Sequence, residues 1–549
     1  MESLFANYTA HVDAVGGSIM LSALVGLIPL LSFFICLIVF KLRSHWSALC
    51  SLIVAIIIAV VGFKMPAGLA VMSATQGMAY GLMPIMWIVI AAIWLYQITA
   101  VSKRSEDMKK VFGLICADDL RIEAIMIAFC FGGILEALAG FGAPVAIVCA
   151  ILVSLGLPPI RAAIITLVAN TAPVAFGAMA APIIAAGGLL AGEDKAQNAQ
   201  YVANMVAHIM PWISFVVPTL LAALLDGKRG VKQLWPITMV VGLAFAVMQF
   251  VGATYISFEL GDIISSLSGM AAALVFLKFW KPSTPDEHKI KDAEGISGSQ
   301  IIMALFPYLI VIVIFAIAKL VAPVTAWLAS FNIKIAWPLL HGHILTASGE
   351  VSSSTIYTLP LLSSPGTSLA VTAIIVAIVY SLKTDNGKYP MTFGRGMYCL
   401  VEVIVKNRFA ILTVALILGL AYVMNFSGET VSIGAWLAGL GTFYLFVSPV
   451  LGFIGTAVTG SDTSANALFT TLQETAANKL GVSPYVTAAA NTCGGVIGKL
   501  ISPQNLTIAA TAIEKPGSEP VLFKGVIAFA IGMLLAVCVI TFILATVIL

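Results

Sequence analysis

"ANTAPVAFGAMAAP" (169–182) and "ANTCGGVIGKLISP" (490–503) follow one pattern, A-N-T-x5-G-x4-P, in the two halves of a 549-residue chain. Each copy comes after a turn, "LGLPP" (155–159) and "LGVSP" (480–484). Each turn comes after an apolar stretch interrupted by small or polar residues, "EALAGFGAPVA" (136–146) and "TGSDTSANALF" (459–469). Single matches of Ala, Gly and Pro arise by chance in apolar helices. The matched order of interrupted stretch, turn and motif marks an internal duplication. A helix with Asn, Thr, Gly and Pro in series cannot keep every backbone hydrogen bond. In lipid such a break survives only where protein or a watery cavity satisfies the freed groups. The motif therefore predicts two discontinuous helices, broken at Asn170/Thr171 and at Asn491/Thr492, that meet near the middle of a bilayer.

Composition puts the motif in that setting. The chain is 60% hydrophobic and 10% charged, against about 25% charged in soluble domains, so it is an integral membrane protein. A net charge of +3 gives no reason to expect a nucleic-acid partner. The expected architecture is an all-α polytopic membrane protein with about twelve transmembrane helices and two re-entrant hairpins, forming a single transport domain over 1–549. Apolar runs of about 20 residues place spans near 18–40, 46–63, 82–101, 160–190, 201–225, 235–255, 259–278, 300–321, 368–382, 408–426, 484–511 and 523–549. The interrupted stretches 122–156 and 433–480 are the hairpins. The first run lacks the basic lead-in and short core of a signal peptide and reads as a retained helix. The eight cysteines show no CxxC or regular spacing and read as small core residues. "HGH" (341–343) reads as part of a polar loop rather than a metal site, and no cofactor is expected. The segment 323–367, with "TASGEVSSSTIY" at 346–357, is an extracellular loop or a third, partly inserted element.

Basic residues set the orientation. Lys and Arg gather around 41–43, 103–110, 228–232, 278–291 and 383–408, whereas the N-terminus, 192–200 and 323–367 are poor in them. Both termini are then outside. The first A-N-T segment runs outward and the second inward, so the halves, with cores at 82–225 and 368–549, are inverted. Inverted repeats with discontinuous helices are a recurrent plan of secondary transporters, which bind substrate at the repeat interface.

Hairpin tips and half-helix N-termini present unpaired N–H groups and a partial positive charge, which suits a small anion. The candidate substrate-binding residues are Gly140, Gly142 and Ala143 at one tip, Ser461, Thr463, Ser464 and Asn466 at the other, and Asn170, Thr171, Asn491 and Thr492 at the breaks. The polar tip residues have a plainer role available, capping the hairpin arms. Ionisable groups in membrane spans are costly and usually functional, which singles out Glu136, Asp462 and Lys499 as proton-coupling residues. Asp462 either carries a proton or forms a fixed pair with Lys499. Lys499 alternatively meets a substrate carboxylate, and Glu136 alternatively sits at the cytoplasmic mouth. Glu474 and His208 lie further off. "CGGVIGKL" (493–500) imitates a phosphate-binding loop, but Cys493 and Leu500 stand where Gly and Ser/Thr belong. Nothing points to ATP-driven pumping.

Several stretches closely resemble the bacterial L-lactate permease family, which includes glycolate permeases. They are "FCFGGILEALAGFGAPVAI" (129–147), "VANTAPVAFGAMAAPI" (168–183), "VTGSDTSANALF" (458–469) and "AANTCGGVIGKLISPQ" (489–504), joined by "FKMP" (63–66) and "GDIISSL" (261–267). The similarity spans essentially the full length. It implies proton-coupled uptake of L-lactate, with D-lactate and glycolate as further substrates, across the bacterial inner membrane. Lactate offers a carboxylate, a hydroxyl and a methyl, and Ala143, Ala172 and Ala465 leave room for the methyl. Sodium-coupled transport of another small carboxylate, or an anion channel, are the alternatives. No nucleophile–base or metal-ligand set argues for an enzyme.

Overall fold

The computed structural model describes residues 5–107, 119–140, 142–192, 194–289, 297–345, 349–385 and 387–548. Of the features singled out in the sequence, Lys109, Lys110, Cys116, Phe141, Lys291 and residues 346–348 lie outside this set. The chain is helical almost throughout: α1 (Ile19–Phe34), α2 (Ser44–Val61), α3 (Ala67–Tyr80), α4 (Trp87–Val101), α5 (Leu120–Ile125), α6 (Gly132–Ala139), α7 (Ala143–Ser154), α8 (Pro159–Ala169), α9 (Gly177–Leu189) and α10 (Lys195–Val251). The second half continues with α11 (Gly261–Phe276), α12 (Gly298–Leu320), α13 (Ala322–Ala329), α14 (Pro365–Leu382), α15 (Phe393–Ser427), α16 (Glu429–Leu437), α17 (Phe443–Thr459), α18 (Asp462–Leu480), α19 (Pro484–Lys499), α20 (Pro503–Ala512) and α21 (Glu519–Ile543).

Among the described residues, nine helices are long and apolar enough to cross a membrane, or ten when the bent pair α8–α9 counts as one. The long α10 contributes two passes. Its backbone leaves helical geometry at Asp226 and Gly227, and its two limbs lie antiparallel, tied by hydrogen bonds from Ser214 to Gln249 and from Thr219 to Thr238. The sequence expectation of about twelve spans stands against these nine or ten among the described residues.

Three sequence boundaries move. The span expected at 82–101 begins at Ala67 and is interrupted at Met83. Its first part, rich in Gly, Ser and Thr, reads as weakly apolar because it packs closely: a Cβ on Gly77 would stand 2.3 Å from the Leu418 carbonyl oxygen on α15. The span expected at 408–426 extends back to Phe393. The described part of segment 323–367 carries short elements of its own. After α13, strand β2 (Asn332–Ala336) pairs antiparallel with β4 (Ile356–Pro360), and β3 (Ile344–Leu345) pairs parallel with β1 (Tyr8–Thr9) near the N-terminus. His341 and His343 are used in this region, bonded to Thr355 Oγ1 at 2.7 Å and to Asn7 Oδ1 at 3.2 Å.

Basic turns gather at one end. Arg121 bonds Asp119 and Asp226, and Arg229 bonds Asp226 and Glu287. Arg161 Nη1 donates to the Leu225 carbonyl at 3.2 Å, bringing the start of α8 to the turn of α10. These contacts join the segments that the charge pattern assigns to one side.

Both interrupted stretches are helical hairpins. The first runs through α5, a π-helical turn and α6, reverses at the 140–142 tip and returns as α7; Gly140 and Gly142 have φ of 44° and 86°. The second consists of α17 and α18 and turns at Gly460, φ 75°. It is shorter than the expected 433–480, because α16 is a separate helix entered through left-handed Gly428. Glycine is needed at such reversals because other residues meet steric cost at positive φ.

The two A-N-T copies differ. In the first, α8 stops at Ala169, a 3-10 turn spans Val174–Phe176, and the flanking helices bend by 64°. In the second, Asn491 and Thr492 remain helical and the break falls at 500–502. The expected break at Asn491/Thr492 is therefore corrected. What the copies share is a departure from right-handed helix just before the common proline. Ala178, Met179 and Ala180 have φ of 45°, 54° and 59° ahead of Pro182, and 500–502 precede Pro503. Proline supplies no N–H and disfavours the α conformation in the residue before it. The second helix breaks beside its proline, whereas in the first copy the chain leaves α8 at Asn170, well ahead of Pro182.

Candidate functional site

The two hairpin tips and the two discontinuous helices converge on one buried cavity of about 30 Å³. Its wall includes Gly140 of the first tip, Gly460, Ser461, Asp462 and Thr463 of the second, and Glu136 and Lys499. Volume on this scale holds a water or two.

Glu136 and Lys499, 363 positions apart, form an ion pair with Nζ 2.6 Å from Oε1. The other carboxylate oxygen, Oε2, accepts from Asn170 Nδ2 at 2.9 Å. One carboxylate thus joins the first hairpin, the first discontinuous helix and the second. Gly177 makes room for it: a Cβ there would come within 2.8 Å of Glu136 Oε1. Glu136 is 2% exposed and Lys499 6%, so Glu136 belongs to the cavity rather than to a solvent mouth. The sequence alternative of an Asp462–Lys499 pair is not formed; the lysine is engaged by Glu136.

Asp462 is 3% exposed and stands beside the Thr456 hydroxyl, with no ion pair among the described residues. It sits against Gly495, where an added Cβ would be 1.9 Å from Asp462 Oδ1 and 2.7 Å from Thr456 Oγ1. Just before it, Ser461 caps α18, its Oγ accepting from the Ser464 amide at 3.3 Å. The capping role and the cavity position therefore belong to the same residue. The positive end of α18, with Ser461 and Thr463, faces the cavity.

Asn466, Asn491 and Thr492 are buried and meet, but they do not line the cavity. Asn466 Oδ1 accepts from Asn491 Nδ2 at 2.9 Å and Thr492 Oγ1 at 3.1 Å. Asn466 Nδ2 donates to the Pro182 carbonyl at 3.0 Å, a backbone group just past the left-handed turn. Behind them Gln473 donates to Asn491 Oδ1 at 3.3 Å and to the Ser448 carbonyl at 3.0 Å, and accepts from Tyr444 at 2.5 Å and Ser448 at 2.8 Å. Thr171 bonds the Val168 carbonyl at 2.7 Å, ending its own helix. Gly142 packs on Ile508 of α20, and Ala143 opens α7 beside it. The sequence did not single out Gln473, Tyr444 or a further buried carboxylate, Asp262, and it marked Gly177 and Pro182 only as motif positions. Asp262 stands in the quoted "GDIISSL", an acid between apolar flanks, and that signal was sufficient to find it.

A second, larger cavity of about 860 Å³ opens at the end where β1–β4 lie. Lys195, Lys334, Glu259, Thr471 and Glu474 are among its wall residues. Ile184 faces it, while Pro182, two residues earlier, faces the small cavity. The Asn466–Pro182 bond thus lies in the barrier between the two spaces.

Residues 22–548 match the L-lactate permease family. The chain is 37% identical to the L-lactate permease of Bacillus subtilis (strain 168), over 97% of this chain and 98% of that one. It is 38% identical to the glycolate permease GlcA of Escherichia coli (strain K12), over 92% and 93% of the two chains. A distant likeness, TM-score 0.44 at 12% identity over 87% and 85% of the chains, links it to the solved structure of Neisseria gonorrhoeae MtrF. The chain is a multi-pass membrane protein and belongs to the L-lactate permease family, whose named relatives are permeases and not enzymes.

Proposed function

We propose that this protein imports L-lactate, and with it D-lactate and glycolate, by proton symport through alternating access in the bacterial inner membrane. The observation that carries the reading is the small cavity in which one lysine, its paired Glu136 and an unpaired Asp462 lie between two opposed hairpin tips. The cores at 82–225 and 368–549 act as inverted halves, and the basic end joined through Arg121, Arg161 and Arg229 is cytoplasmic. The substrate carboxylate is received by Lys499, by the N-terminal end of α18 and by the Ser461 and Thr463 hydroxyls. Small residues at the tips, Gly140 and Gly460, leave space for the hydroxyl and methyl once the hairpins part. Asn170, Asn466, Asn491 and Thr492 position this set rather than contact the substrate.

Proton coupling follows from charge. An extra anion in a low-dielectric site is expensive unless a positive charge accompanies it. Lys499 is already matched by Glu136, so lactate that draws Lys499 to itself leaves a carboxylate to be neutralised. A proton held on Asp462 or passed to Glu136 restores the balance, and the loaded transporter moves without net charge against the negative interior.

The test is labelled L-lactate uptake into proteoliposomes of the purified protein, driven first by a proton gradient without sodium and then by sodium without a pH difference. Concentrative uptake with protons alone is expected. Accumulation only with sodium overturns the coupling. Activity towards another carboxylate with none towards lactate overturns the substrate.

A further inference from the structure

Asp262 lies in the first turn of α11, fully buried, with the neutral Gln249 amide set against its carboxylate and no ion pair among the described residues. A carboxylate buried beside a neutral amide is costly in its charged form, so it is not retained for stability. Its surroundings give it a direction. On one side, Phe258 and Glu259, one turn earlier, line the large cavity at the outer end of the charge-based topology. On the other side is Glu136. Helices α6 and α11 touch where a Cβ on Gly133 would stand 2.4 Å from Ser266 Oγ. Asp262 is one turn before that contact on α11, and Glu136 one turn after it on α6. The charges of Glu136 and Lys499 both act on Asp262.

We infer that Asp262 is a proton relay between the outer cavity and the Glu136–Lys499 pair. This rests on the proton-symport reading above. A proton from water in the outer cavity binds the Asp262 carboxylate as an O–H. When substrate draws Lys499 away from Glu136, that proton passes to Glu136, leaving Asp262 an anion that is recharged from outside. From Glu136 it reaches Asp462 across the small cavity that both residues line. No bond other than O–H forms or breaks, and the one positive charge offsets the one arriving anion.

The other groups facing Asp262 are compatible with this role. From α10 it meets Gln249, whose amide is also bonded to Ser214 and to the Ala172 carbonyl in the first break. The π-helical turns packed on α11, Met126–Phe131 and Gly252–Ile256, bring Cys130 and Tyr255 and no charge. Glu259, bonded by Ser257 Oγ at 2.6 Å, stands on the cavity side. Asp226, Lys228, Arg229 and Lys232 lie at the opposite, basic end of α10.

The experiment compares wild type, Asp262→Asn and Asp262→Glu in proteoliposomes, with two assays. One is proton-driven accumulation of labelled L-lactate, with internal pH followed by a trapped dye. The other is lactate–lactate exchange at equal pH, which needs no net proton transfer. The Asn variant keeps the shape but cannot carry the proton. It is expected to exchange lactate near the wild-type rate while driven uptake and internal acidification fall about tenfold or more, and Glu restores part of both. Wild-type driven uptake in the Asn variant overturns the relay, as does equal loss of exchange and driven uptake in correctly inserted protein. If wild type itself shows no proton-driven uptake, the symport reading fails first, and the wild-type control separates that result from a failure of the relay.

Discussion

Lys499 Nζ lies 2.6 Å from Glu136 Oε1, joining the second discontinuous helix to the first hairpin across 363 residues of chain. The pair is buried on both sides and forms the polar seam between the two halves of the fold. In the proposed mechanism the incoming anion rearranges this pair.

Removing one member of this pair leaves the other as an uncompensated buried charge, at a cost of about 3–5 kcal/mol. Lys499→Ala and Glu136→Gln are each expected to lower the unfolding temperature of the detergent-solubilised protein and to abolish uptake. The double variant Glu136→Gln/Lys499→Met is expected to regain much of the thermal stability and none of the driven transport. A double variant no more stable than either single change would mean that the pair is not an isolated charge balance.

Asp462→Asn removes a buried carboxylate that has no ion pair among the described residues, and the amide can keep its contact with the Thr456 hydroxyl. The expected result is an unfolding temperature equal to or above wild type, together with loss of proton-driven lactate accumulation. Undiminished accumulation in vesicles would remove Asp462 from the coupling set.

Gly495 provides the space in which the Asp462 carboxylate sits, and a Cβ would come 1.9 Å from Oδ1. Gly495→Ala is expected to displace the carboxylate and to reduce uptake about as severely as the Asn change at 462. Measured side by side, wild-type uptake in Gly495→Ala would show that the position of the carboxylate is not critical.

Asn466→Ala and Asn491→Ala each strand buried partners, including the Pro182 carbonyl or Gln473, at about 1–3 kcal/mol each. Thermal unfolding should register this loss, and uptake should fall as the second hairpin loosens from α9. Because the two amides share a bond, the double variant should be less destabilised than the sum of the singles. Strict additivity in a double-mutant cycle would contradict a shared network.

The sequence was enough to recognise a membrane chain and to find both hairpins, because lipid imposes length and apolarity locally. The repeat was legible for the same reason: Gly and Pro act on their own backbone wherever they occur, and both copies depart from regular helix between the motif's Gly and its Pro. It also named Glu136, Asp462 and Lys499, since an ion in an apolar run is conspicuous without any knowledge of its neighbours. Which of these acids meets the lysine was not legible, because hairpin and helix are brought together only by packing across hundreds of residues. The same holds for Asn491 and Thr492. Their composition suggests a broken helix, yet the helix continues because Asn466 and Gln473 from α18 take up their side chains. Asp262 stood in plain view as a residue type and acquired a direction only when α11 was laid against α6. Local chemistry determined the elements and the costly groups; tertiary packing decided the partners, because charge and hydrogen bonding act through space and not along the chain.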